Sequence, residues 1–143
     1  MTQELKEYLQ GIVNLSDEEK VALGRDSLNK FLNGLVRGGI PKDQLQDIVI
    51  GFVRFFVSSD RSCTTGEYNF FKAVTGFELT PDQFFDLTNG GAAEEYQKAV
   101  YEFAGILNQE DRTALVVFGA ALLSSDDTIT KEEAEMIDRL LNC

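Results

Sequence analysis

Histidine and tryptophan are absent from this chain of 143 residues, and cysteine and proline occur only twice each. Without histidine a Ser-His or Cys-His nucleophile is excluded. Cys63 stands alone in a polar stretch and Cys143 is the last residue, so there is no CxxC spacing, no disulfide framework and no ligand set for structural zinc. GxGxxG, P-loop and GxSxG patterns are missing too. Paired carboxylates alone need a cleft and shifted pKa values before they do acid-base work, and the expectation is a protein that is not an enzyme. No run of 18 apolar residues occurs, and the start, "MTQELKEYLQ", carries charges where a signal peptide needs an apolar stretch. The chain reads as soluble and cytoplasmic, with no direct membrane insertion, and its cysteines suit a reducing compartment.

Positive charge is scarce in one half. Residues 1 to 73 hold nine Lys/Arg against ten Asp/Glu, whereas residues 74 to 143 hold four against fourteen, so ten of the net eleven negative charges fall in the second half. Such a surface repels phosphate backbones and anionic lipid, and nucleic acid is not an expected partner. A cation or a basic protein surface fits the charge, and so does a surface kept soluble by its acids.

What is abundant is apolar and helical. Hydrophobic residues make up 43% of the chain and eleven residues are Phe, enough for one substantial core over residues 1–143 as a single domain. The stripes "FVRFFV", "NFFKAV" and "QFFDL" are read as core. Leu5, Leu9 and Ile12 share one helical face, and "SDEE" from Ser16 is a capping box whose helix is expected to run to Gly38-Gly39. Pro41 suits a first helical position, and "QLQDIVIGFVRFFV" after it, apolar nearly all round, is the expected central helix. "TTGEYNFFKAV" is expected to end at Gly76, and "TPDQFFDL" to open with Thr80 as cap and Pro81 behind it. A further helix follows Gly90-Gly91, and "DRTALVVFGAALL" and "TKEEAEMIDRLL" complete about eight. The fold class is all-α, a bundle with no strand alternation.

One motif is written twice. "FVSSDRSCTTGEYNF" (56–70) returns as "LLSSDDTITKEEAEM" (122–136), so that Asp60 aligns with Asp126, Thr64 with Thr130 and Glu67 with Glu133 at a constant offset of 66 residues (126 minus 60). Phe52 aligns with Phe118 upstream, and Phe70-Phe71 with Met136-Ile137 downstream. The unit is helix, acidic loop, helix. Two such units are expected to bury their apolar faces together and set the two loops in related positions about a pseudo-twofold axis. Neither loop is an EF-hand: counted from Asp60, the sixth position is Thr65 rather than Gly and the twelfth is Phe71 rather than Glu, and the second frame fails with Lys131 and Ile137.

The succession of buried helix, small residues, Asp, short loop, Thr, Glu and amphipathic helix, carried here by "SSDRSCTTGEYNFF" and "SSDDTITKEEAEMIDRLL", resembles the tellurite-resistance TerB family from about Ser16 onward. The small residue usual after the Asp is Arg61 in the first loop and Asp127 in the second, which departs from the family's tight turns. The resemblance implies a non-catalytic, all-helical domain of bacterial stress response. Its suspected metal-binding acids match Asp60, Glu67, Asp126 and Glu133 here.

Two readings of those acids stand side by side. Thr64-x-x-Glu67 and Thr130-x-x-Glu133 are both capping boxes, so each Glu satisfies a helix N-terminus and each Asp shapes a loop. Alternatively the carboxylates gather around a hard cation, for which an all-oxygen set selects Ca²⁺ or Mg²⁺. Cys63 beside Arg61 is read as an ordinary loop cysteine rather than a redox sensor. Two functions follow: a cation-responsive stress module, or a helical adaptor that binds a partner protein through an acidic surface without metal. The oligomeric state is open.

Overall fold

Most of the described helices start where a short polar side chain takes up free amides of the kind that every helix N-terminus exposes. The structure, a computed structural model, describes residues 2–57, 64–88 and 94–143. In these residues eight α-helices follow one another: α1 (Gln3–Val13), α2 (Asp17–Arg37), α3 (Leu45–Val57), α4 (Thr65–Thr75), α5 (Pro81–Thr88), α6 (Glu94–Ile106), α7 (Gln109–Leu123) and α8 (Lys131–Leu141). Among the described residues there is no strand, as the all-α expectation requires. Nor is any described helix long and apolar enough to cross a membrane.

The expected caps form. Ser16 Oγ accepts the Glu19 amide at 3.2 Å while Glu19 Oε1 accepts the Ser16 amide at 3.0 Å. The backbone donor and then the Ser16 hydroxyl hold the Glu19 carboxyl below its usual range. Thr80 and Gln83 make the same reciprocal pair ahead of α5, with Pro81 in its first turn. Asn108 caps α7 by accepting the Asp111 amide at 2.8 Å. At the other ends, α2 stops at Gly38, and α4 stops at Gly76, whose φ of 69° is a left-handed conformation suited to glycine. Pro41 does not open α3: it precedes a 3-10 turn (Lys42–Gln44) that leads into the helix.

The buried side chains form one hydrophobic cluster. The sequence pointed to the segment now seen as α3 for its centre, but α7 holds that place. From Ala114 to Leu123 every residue of α7 except Val117 is buried, and the helix packs against α1, α2, α3, α4 and α8. On α3, Asp47 and Arg54 remain exposed. The physical reason is size. Gly119, Ala120 and Ala121 allow neighbouring helices to come close, and the Phe56 ring of α3 lies where a side chain on Gly119 would stand. The phenylalanines line the contacts around it, with Phe31 meeting Phe52 edge-on at 5.5 Å between centroids and Phe71 against Phe84 at 5.0 Å.

Two glycine substitutions separate packing from propensity. Gly119→Ala drives a methyl into the Phe56 ring and should destabilise by about 1–3 kcal/mol. Gly11→Ala, in an exposed turn of α1 with nothing within 4 Å of the new methyl, should stabilise by about 0.5–1 kcal/mol. Urea unfolding measures both, and a neutral Gly119→Ala would contradict this packing.

Candidate functional site: the acidic loop on the α4 N-terminus

The second copy of the repeated motif shows what Ser-Ser-Asp does. Ser124 Oγ donates back to Ala121 O at 2.9 Å and Ser125 Oγ to Leu122 O at 2.6 Å. Both hydroxyls thereby take up carbonyls at the end of α7, where the backbone tightens into a 3-10 turn (Ser124–Asp126). Asp127 follows with φ 64°, the left-handed region, and its amide donates to Ser124 O at 2.9 Å. Glycine adopts that conformation most easily, and Asp is among the few other residues that visit it as single positions, so the turn accepts Asp127 there.

Asp126 then leaves its own unit. Thr64 Oγ1, at the N-terminus of α4, lies 2.8 Å from Asp126 Oδ1 and 2.9 Å from Oδ2, so the hydroxyl donates across the repeat to the carboxylate. The same oxygen accepts the Glu67 amide at 3.1 Å and stands 3.3 Å from Glu67 Oε1. Glu67 Oε1 closes the capping box by accepting the Thr64 amide at 3.0 Å. Two carboxylates thus converge on one hydroxyl proton at the positive end of a helix, which favours negative charge there. Gly66 makes the approach possible. A Cβ on it would come within 2.6 Å of Asp126 Oδ1 and 3.2 Å of Ser125 O.

A buried ammonium completes the loop. Lys20 of α2 is 1% exposed and its Nζ donates to Ser124 O at 2.8 Å and to Asp127 Oδ1 at 2.9 Å, while the Asp127 side chain is 81% exposed. Lysine at a core position costs free energy unless its charge finds acceptors. Here the chain supplies the cation for its own acidic loop.

The sequence-predicted residues are therefore distributed as follows. Glu67 and Glu133 are buried at the third positions of α4 and α8, each accepting its own cap amide through Oε1, the latter from Thr130 at 2.8 Å. Asp126 is brought onto Thr64 beside Glu67. Asp60, like Arg61 and Cys63, lies outside the described residues. Among the described residues no group of three or more His, Cys, Asp or Glu side chains is placed to hold a metal ion. Lys20 was missed. Its signal was present, since Lys20, Gly24, Ser27, Leu28, Phe31 and Leu35 share the buried face of α2, and a lysine on that period asks for a partner.

Removing the two halves of the Lys20–Asp127 pair should have unequal effects. Asp127→Gly suits the left-handed backbone but leaves a buried ammonium short of one acceptor, and a loss of about 1–3 kcal/mol is expected. Lys20→Met keeps the apolar stem and leaves Asp127 in water, so it should cost less, and adding it to Asp127→Gly should recover stability. Chemical denaturation of the three variants measures the cycle. An additive double variant would show that the pair is not coupled.

Compared with protein-family models, with curated proteins and with solved structures, the chain matches none of them.

Proposed function

We propose that this protein is a non-catalytic helical adaptor of the cytoplasm that binds a partner protein, and that its acidic motifs are structural clasps. The observation that carries this reading is the internal use of the second loop's polar groups. Asp126 takes the Thr64 hydroxyl, Asp127 and the Ser124 carbonyl take the Lys20 ammonium, and Glu133 takes its cap amide. A loop built to receive an external ion has its acceptors aimed at open space, whereas Asp126, Glu133 and the Ser124 carbonyl meet donors of the same chain and the otherwise exposed Asp127 meets Lys20 through Oδ1. The absence of histidine and of nucleotide-binding motifs from the sequence supports a role without catalysis. The excess of acid in the second half supports a basic partner.

A second reading has one observation in its favour. Asp126 Oδ1, Asp126 Oδ2 and Glu67 Oε1 all lie within 3.3 Å of Thr64 Oγ1, which carries a single proton. Carboxylates so close repel unless screened, and Ca²⁺ or Mg²⁺ is the hard cation their oxygens would select. On that reading the protein is a TerB-like stress-response domain with Asp60, Glu67, Asp126 and Glu133 as its acids.

Two measurements separate the readings. Under the adaptor reading the melting temperature is the same in EDTA and in millimolar Ca²⁺ or Mg²⁺, and crosslinking in the source cells gives a heterocomplex of fixed stoichiometry. Under the cation reading, ion at about 100 times its Kd stabilises by about 2.7 kcal/mol, and Asp126→Asn weakens that response. A chain recovered from its cells only in free form contradicts the adaptor reading.

A further inference from the structure

Helices α3 and α6 each present two faces. One enters the core, and the other lines a surface groove of about 510 Å³ between them. On α3 the lining positions are 47, 48, 51 and 52, with Gln44 of the preceding 3-10 turn, and on α6 they are 96, 99, 100 and 103, so each helix contributes a stripe at helical spacing. Phe52 and Val100, both buried, form the floor, and the Phe52 and Phe103 rings meet at 5.7 Å to close it. Ile48 stands on one wall. Tyr96, 36% exposed, leans from the other wall, and its hydroxyl would lie 2.5 Å from a Cβ on Gly51. Glycine at 51 is what admits the ring across α3.

Asp47 is the only charged residue among the groove's described lining, and Glu95 and Glu102 are exposed on α6. Arg54 and Lys98 are exposed on the same two helices, none of these four residues lines the groove, and the Arg54 charge acts on the Tyr96 hydroxyl at its wall. By contrast, the cleft between α1, α2 and α7 mixes Asp26 and Glu110 with Lys30. We propose that the α3–α6 groove is the docking site for an amphipathic helix of a partner protein, apolar on one face and rich in Lys or Arg on its flanks. This deepens the adaptor reading and rests on it. The stripe from Gln44 to Phe52 is about 12 Å long, the length of about two turns of a bound helix. A basic occupant fits better than a second copy, because the chain carries a net charge of −11 and copies meeting at this face would bring acid against acid.

The test uses the full chain labelled with ¹⁵N. The probe is a synthetic amphipathic Leu/Lys peptide of about four helical turns, with leucines at i, i+4 spacing. Two controls keep its length: one replaces Lys by Glu, and one scrambles the order. The Leu/Lys peptide should shift the amides of residues 44–52 and 96–103 saturably. Asp47→Lys should weaken binding by about tenfold, a change of about 1.4 kcal/mol. Ala99→Trp, which fills the groove from an exposed position, should abolish it. Shifts that do not saturate, shifts spread over the whole acidic surface, equal binding by either control, or unchanged binding by Ala99→Trp would each overturn the proposal. So would a dimer in sedimentation that Ala99→Trp dissolves, since the occupant would then be a second copy. A protein that forms its heterocomplex in cells yet ignores the peptide loses the groove but keeps the adaptor reading.

Discussion

A helix apolar on every side cannot lie on a surface, and α7 is the constraint around which this molecule is arranged. Its stretch from Ala114 to Leu123 buries nearly every residue, so other helices must cover it all round. Large side chains come from those neighbours: Phe56 lies over Gly119, and the Phe70 ring meets Phe118 at 6.2 Å. The consequence for function is placement. Whatever α7 carries at its C-terminal end is held against α2 and α4 at once, and what it carries there is the acidic loop.

Polar chemistry at that end then follows from burial. A turn held in the packed end of a bundle needs internal partners for its polar groups. The chain provides a serine pair for the helix carbonyls, a lysine from α2 for the turn, and a threonine from α4 for the aspartate. The pseudo-repeat acquires a physical meaning from this. Its second loop reaches the N-terminus of the helix belonging to the first unit, so one motif serves both as a local cap and as a clasp between units.

The local part of this was legible in the sequence. Capping boxes at Ser16, Thr64 and Thr130 could be read directly, because donor and acceptor are three residues apart and sequence spacing determines whether they meet. Helical periodicity gave the all-α class for the same reason. The non-local part was not legible. Lys20 and Asp127 are separated by 107 residues and Thr64 and Asp126 by 62, so these pairs depend on how the helices pack. The central helix is non-local in the same way: α3 has the more apolar sequence, but side-chain size places α7 at the centre. Small residues on α7, not large ones on α3, mark the place where helices crowd. Asp60 lies outside the described residues, so the first loop has only its flanking helices to compare with the second.

As proposed above, the acidic loop acts as a clasp between the two units without an external ion. A double-mutant cycle on Thr64→Val and Asp126→Ala, followed by urea unfolding in EDTA, tests this most directly. A coupling of about 1–2 kcal/mol with divalent cations absent is the predicted result. A coupling near zero in EDTA that emerges on adding Ca²⁺ or Mg²⁺ would contradict the clasp and make the loop a cation site.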